Sequence, residues 1–393
     1  MHAQRKGCLS KIKGVGFVGF FAALGLAAIS TIWAIYLESI LHNPSYVGFL
    51  TSAFILVGTL TYIIGIPFLE KTRKIRSYAA ILFLMFISFS LFSFISNIYA
   101  VIILGFIVTI IGSLRISLYG LIVRDKSKDK DLSKNEGMIY SLLNLAFLIA
   151  PIGAGYLASK IGIKYVFVFA SIFFLISFVL ISIFKIKDNR TNKKIDKKPF
   201  RVFLDYFKNK NRVFSYFLGG GIDFWWVLIY IYVPIHLFDK GLGAEIIGYF
   251  LAAIIIPLVL IESKIGKIVN KKGFKKIFLI GFVILGFSAL VCFFISNIYF
   301  ILGILILSSI GAAMVEPTTE AYSFDIIGKK EMDRFYPIYN TTINVSSIFA
   351  RVLGAILLLL LPFDFIYLFF AGTMFLIAFL STKTKEILES KKG

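Results

Sequence analysis

The chain has 393 residues, of which 59% are hydrophobic and 16% charged, with a formal net charge of +21 at pH 7. At a mean hydropathy of +0.88 it holds far more apolar surface than one soluble core of this length can hide, so a soluble globular protein is excluded and most of that surface must face lipid. The positive charge would suit a nucleic-acid partner in a soluble protein, but the basic residues are confined to particular loops, which speaks for membrane topology instead.

A helix crossing the roughly 30 Å hydrocarbon layer needs about 20 apolar residues at about 1.5 Å each. Six stretches of that length lie in the first half, at 14–37, 45–69, 76–96, 98–122, 136–158 and 163–184. Six more follow, at 213–237, 243–265, 274–296, 298–322, 335–361 and 363–382. Their apolar residues do not alternate with polar ones, so lipid-facing strands are a poor alternative. Runs such as Ile102-Ile103-Leu104-Gly105-Phe106-Ile107-Val108 are apolar all round, as helices in lipid or inside a bundle are.

The hexapeptide Phe94-Ile95-Ser96-Asn97-Ile98-Tyr99 recurs as Phe294-Ile295-Ser296-Asn297-Ile298-Tyr299, an offset of 200 residues that also pairs Gly48 with Gly248, Lys71 with Lys271, Asp125 with Asp325 and Asn144 with Asn344. A period this long marks a duplicated half-protein and not a solenoid repeat. The expected fold is an all-α membrane protein of twelve transmembrane helices in two parallel-repeat six-helix bundles, 1–184 and 213–393, joined by the basic segment 185–212.

The N-terminal tail, the loops between spans 2 and 3, 4 and 5, 6 and 7, 8 and 9, and 10 and 11, and the C-terminal tail hold 37 of the 42 Lys and Arg. The loops of the other face hold three, Lys160, Lys164 and Lys240. Under the positive-inside rule both termini are cytoplasmic, as an even span count also requires. The excess charge then serves topology and attraction to the leaflet. The first span is too long for a signal-peptide core and is expected to stay as a signal anchor. Cys8 in the tail and Cys292 within span 9 are too differently placed to pair. In the linker, Phe200-Arg201-Val202-Phe203-Leu204-Asp205-Tyr206-Phe207 has the apolar spacing of an amphipathic helix lying at the inner membrane surface.

Two six-helix halves in the same orientation, joined by a basic linker, resemble the major facilitator superfamily (MFS) of secondary transporters. The sharpest local match is Gly266-Lys267-Ile268-Val269-Asn270-Lys271-Lys272-Gly273-Phe274-Lys275-Lys276, similar to that family's loop signature Gly-x-x-x-Asp-Arg-x-Gly-x-Arg-Arg with Asn270 in place of the acid. The first-half equivalent keeps Glu70 and Lys71 but has Ile66 and Arg73 where the signature has glycine. Glycine lets helices approach closely, and the basic cluster can bridge to an acid at a nearby helix end. We expect Asp125 to pair with the Arg73, Lys74 and Arg76 cluster and Asp325 with Lys275 and Lys276, the alternative being solvated loop charges. Span 5 carries Gly137, Ala146, Ala150-Pro151 and Ala154-Gly155, similar to a glycine-proline motif of proton-driven exporters in the family with three glycines replaced by alanine. An ordinary tightly packed, kinked helix explains the same residues.

Ionisable residues within spans carry more weight, because a charge in hydrocarbon is costly and faces a partner or a watery cavity. Asp223 sits midway along span 7, after Gly219-Gly220-Gly221, which can loosen the helix, and beside Trp225-Trp226. Its alternative role is assembly, satisfied by a neighbouring helix. Glu316 and Glu320 in span 10 lie four residues apart on one face with Pro317 between them, and Arg115 in span 4 lies at similar depth. The resemblance implies that spans 1, 4, 7 and 10 line a central cavity and bring these charges together for proton coupling; a static ion pair is the alternative. Arg351 in span 11 could neutralise an anionic substrate or steady one of the acids. Glu38 and Glu262 lie near span ends, where exposure is expected. Trp33, Tyr36, Trp225, Trp226, Tyr230 and Tyr232 offer rings for stacking on a solute, or serve as packing.

The only histidines are His2, His42 and His236, and no metal cluster, nucleophile elbow or phosphate-binding Gly-x4-Gly-Lys-Ser/Thr loop occurs. The expectation is therefore a membrane carrier and not an enzyme, without cofactor or metal. Its partners are a small solute, protons and the bilayer, with no nucleic acid, and it acts as a monomer in the cytoplasmic membrane. Proton-coupled efflux is the favoured direction, with uptake of a sugar, amino acid or organic anion as alternative. A non-transporting sensor on the same fold is the third reading.

Overall fold

The computed structural model describes residues 2–69, 72–127, 132–186, 199–328 and 331–385, and within them every regular element is helical. Helices α1 (His2–Leu41), α2 (Pro44–Leu69), α3 (Lys74–Phe92), α4 (Ile98–Lys126), α5 (Leu132–Lys160) and α6 (Ile163–Ile183) make up the first half. The second half has α7 (Pro199–Phe207), α8 (Lys210–Val227), a π-helical turn at Leu228–Tyr232, α9 (Val233–Asp239), α10 (Ala244–Lys272), α11 (Phe274–Phe294), α12 (Ile298–Ile327), α13 (Met332–Tyr339), α14 (Thr341–Leu360) and α15 (Phe365–Ser381). Helix is the physical solution for such runs, since in hydrocarbon each backbone N–H and C=O must be satisfied within the segment.

Eleven helical stretches among the described residues are long and apolar enough to span a membrane. A twelfth apolar helix, α15, has 17 residues, about 25 Å at 1.5 Å per residue. Large apolar side chains such as Ile64, Ile103 and Leu307, each more than 60% exposed, stand on the helix surfaces as lipid-facing residues do. Three expected spans are interrupted or shortened. Span 7 is α8, the π turn and α9 in succession. Span 11 breaks at Asn340, after Pro337 has removed a donor from α13. Span 12 shrinks to α15, because Pro362 and the turn at Phe363 and Asp364 precede it.

The repeated hexapeptide has the same local role in both copies. The Asn97 side chain accepts from the Tyr99 and Ala100 amides at 2.9 and 3.2 Å, and Asn297 accepts from the Tyr299 amide at 3.0 Å. Each Asn caps orphan donors at a helix start, so the sequence stops α3 and starts α4 in one half, and does the same for α11 and α12 in the other.

Two compact units emerge, one of Met1–Ile40, Phe54–Ile195 and Leu242–Ala252, the other of Leu41–Ala53, Asp196–Gly241 and Ala253–Gly393. In the first, α3 packs against α6 and α4; in the second, α11 packs against α15 and α12. These are repeat-equivalent pairs, so each unit builds its core in the same way. The first unit is centred on rings: Phe92 and Phe167 stack at 5.0 Å between centroids, and Trp33 meets both edge-on.

Small residues set the closest approaches. A Cβ on Gly155 of α5 would sit 2.5 Å from the Ala244 carbonyl oxygen, and one on Gly248 of α10 would fall on the Pro151 carbonyl. Ala146, Ala150 and Ala154 of α5 are buried as well. Pro151 lies within a continuous α5, and its carbonyl is part of that contact.

Candidate functional site

The sequence-expected acids of the second unit lie on three helices. On α8 and the π turn, Asp223, Trp226 and Tyr230 fall on one partly open stripe, while Phe224, Trp225, Val227, Leu228 and Ile229 beside them are buried. Asp223 Oδ2 accepts from the Thr342 hydroxyl of α14 at 3.4 Å. Across from this stripe Glu316 of α12 lies within hydrogen-bonding reach of the Trp226 indole and within electrostatic range of Asp223, Glu262 and Glu320. One oxygen of Glu316, Oε2, is buried with no hydrogen-bond partner among the described residues. Glu320, one turn further on, accepts from the Tyr336 hydroxyl of α13. Trp226 and Tyr230 approach at 5.8 Å between centroids.

Within this unit the described partners of all three acids are therefore neutral donors. A carboxylate in such surroundings is stabilised far less than one facing a cation, so its charge stays sensitive to water and ligand. Glu262, which sequence position alone placed at a solvent-exposed span end, belongs to the same acid group, as the neighbour of Glu316. The chain fold brings α10 to α12, and no local pattern in the sequence announces it. Thr342, Tyr336 and Tyr339 were likewise not singled out from sequence. A polar residue facing an acid from another helix has no fixed spacing to betray it.

The triple glycine does not loosen the helix as expected. Residues 219–221 stay α-helical within α8 and are buried, because without Cβ atoms they admit neighbours. Tyr339 lies against Gly219, Ser346 against Gly220, and Phe282 with Ile377 against Gly221. The irregular backbone comes later, at the π turn, where the wide turn sets Tyr232 to donate to the Arg351 carbonyl at 2.8 Å. Trp225 is 0% exposed, so it serves as core and is closed to stacking on a solute. Trp33 is enclosed by Tyr36, Phe54, Phe92 and Phe167. Of the six rings considered for stacking, Trp226 and Tyr230 are the pair placed beside the acids.

Arg351 stands next to Tyr232, and its Nε and Nη1 are buried without a hydrogen-bond partner among the described residues. In the first unit Arg115 is 8% exposed and lies within electrostatic range of Tyr78 and Tyr119, whose rings are 5.8 Å apart. Tyr119 in turn donates to the Val15 carbonyl at 3.2 Å. Glu38, expected at the surface, is 5% exposed.

For the loop charges, Lys74 is the member of its cluster that reaches Asp125, Nζ to Oδ2 at 2.6 Å, with side chains 9% and 15% exposed. Arg73 immediately precedes α3. Removing one partner of such a shielded pair leaves the other charge uncompensated, so Asp125→Asn is expected to cost about 3 kcal/mol. The thermal midpoint of the purified protein measures it, and an Asp125→Asn, Lys74→Met double variant recovers most of the loss. Asp325 lies near the end of α12, with Lys275 and Lys276 in the first turn of α11. Gly273 holds φ +79° between α10 and α11, the left-handed backbone that the signature glycine supplies at no steric cost. Glu70 and Lys71 lie outside the described residues, and Gly137, Gly266, Asn270 and Lys271 are described in their backbone alone.

Among the described residues, eleven long apolar helices and a twelfth shorter one, with carboxyls and aromatic rings set within them, make a multi-span membrane protein. The family model described as Major Facilitator Superfamily matches residues 15–272 and 264–392, and the chain belongs to that family. It is 24% identical over 346 residues to the uncharacterized MFS-type transporter MJ1560 of Methanocaldococcus jannaschii, covering 85% of this chain and 87% of that one. Its fold is similar to that of a POT family transporter solved in complex with 5-aminolevulinic acid, with a TM-score of 0.81 at 13% identity over 94% of each chain. It is also similar to the nucleoside transporter NupG, with a TM-score of 0.76 at 14% identity, covering 95% of this chain and 99% of that one.

Proposed function

We propose that this secondary transporter couples solute movement to protons through Asp223, Glu316 and Glu320, by alternating access of its halves 1–184 and 213–393, with both termini cytoplasmic and efflux of a small organic solute as the working direction. The observation that carries the reading is the set of carboxyls within the spans whose described partners in their unit are Thr342, Trp226 and Tyr336. Such groups can exchange a proton as water access alternates, because among the described residues of their unit no ion pair holds them ionised. Trp226 and Tyr230 supply an apolar, ring-bearing wall for the solute. The ligand shifts the balance of inward-open and outward-open states only through its different affinity for the two.

A second reading, uptake of an organic anion, draws on Arg351, whose two unpartnered nitrogens suit a carboxylate or phosphate group. A solute screen in proteoliposomes with an imposed pH gradient of each sign separates the readings. The proposal expects flux of at least one solute to follow the gradient and reverse with it. Flux indifferent to either gradient would reduce the protein to a facilitator, binding without flux would make it a sensor, and chemical conversion of the solute an enzyme.

A further inference from the structure

Helix α7 has two faces, and the protein occupies one of them. Tyr206, 0% exposed, joins Tyr216, Ile327, Phe335, Ile338 and Tyr339 in a buried cluster against which Val202 and Phe207 also pack. Ion pairs hold that face in place: Arg334 Nη2 reaches Asp205 Oδ2 at 2.6 Å, and Arg212 Nη2 reaches Glu331 Oε2 at 2.7 Å. Both guanidinium groups lie over the Phe335 ring, at 3.8 Å for Arg212 and 4.8 Å for Arg334. Thus clamped, α7 cannot roll to hide its other side.

That other side presents Phe203 and Leu204, 40% and 50% exposed, with the Phe203 ring 4.9 Å from Phe207. Beside it stand Lys208, whose side chain is 77% exposed while its Nζ pairs with Asp205 Oδ1 at 2.8 Å, and the exposed Lys210. Lys193, Lys194, Lys197, Lys198 and Arg201 adjoin in sequence. The apolar stripe ends at Phe207, and the membrane-spanning stretch Lys210–Asp239 begins three residues later. The stripe is therefore kept at the edge of the hydrocarbon layer, where apolar rings enter the acyl boundary and lysines reach phosphate. A soluble protein partner would have to be acidic and displace lipid from that edge; an anionic leaflet offers both chemistries already.

We propose that the outer face of α7 is a docking face for anionic phospholipid, with Phe203 and Leu204 in the acyl boundary and Lys208 and Lys210 on the headgroups. The test is native mass spectrometry of the full-length protein in micelles doped with phosphatidylglycerol or with phosphatidylcholine, together with its thermal midpoint in each. Phosphatidylglycerol is expected to remain bound in preference and to raise the midpoint by mass action. Lys208→Gln with Lys210→Gln should weaken that binding about twenty-five-fold, about fivefold for each lysine. Phe203→Ser with Leu204→Ser should weaken retention of both lipids, by removing the side chains that enter the acyl boundary. Equal binding of the two lipids, a preference that survives the lysine substitutions, or retention unchanged by the serine substitutions would overturn the proposal. A dimer lost on the Phe203→Ser, Leu204→Ser change would overturn it too, by assigning the stripe to a second copy.

Discussion

Asp223→Asn combined with Glu316→Gln is expected to abolish gradient-driven accumulation of solute in proteoliposomes while downhill exchange persists. An amide keeps the shape of the carboxyl and its contact with Thr342 or Trp226, but it neither takes up nor releases a proton at working pH. A gradient of one pH unit is worth about 1.4 kcal/mol per proton, so one-for-one coupling accumulates solute about tenfold. The double variant should fall to no accumulation at all, a loss that cannot be mistaken for a slower rate. Accumulation that survives in the double variant would remove both residues as proton carriers.

Gly248→Ala is expected to lower the thermal midpoint by the equivalent of about 1–3 kcal/mol, the usual range for forcing an extra carbon into a packed site. The reason is the identity of the neighbour. The new Cβ would meet the Pro151 carbonyl and the Gly155 Cα, which are backbone atoms, and backbone cannot swing aside as the end of a side chain can. Gly112→Ala is the control. Nothing lies within 4 Å of a Cβ there, and alanine is favoured over glycine in a helix by up to about 1 kcal/mol. The two substitutions should therefore move the midpoint in opposite directions, which a general intolerance of change in membrane helices would not produce. Equal effects would mean that the approach of α5 and α10 is looser than the structure has it.

Much of the fold was legible because its signals are local. The apolar runs and the repeated hexapeptide each follow from a few consecutive residues, and the duplication carries them at one fixed offset. The interruptions at the π turn and at Asn340 were not legible, since a continuous apolar run looks the same whether its helix is regular or broken. Gly219-Gly220-Gly221 misled for a related reason. Glycine reports missing side-chain volume, and only the neighbours, Tyr339, Ser346 and Ile377, determine whether that volume becomes flexibility or a tight contact.

At the site, Asp223, Glu316 and Glu320 could be picked out because a charge within an apolar span is rare enough to be noticed on its own. Trp225 and Trp226 are adjacent and indistinguishable in sequence, yet a step of about 100° around the helix buries one and opens the other. Lys74, and not simply its cluster, was assigned to Asp125 by the packing of α3 on α4. The amino-acid order alone therefore determined the membrane-spanning class, the duplicated halves and the scarce charges, because hydrophobicity and helix length act along the chain. Which acids face neutral donors, that Glu262 joins them, and which ring stays open were decided by tertiary packing, because those contacts join helices tens of residues apart and depend on rotations that no linear pattern records.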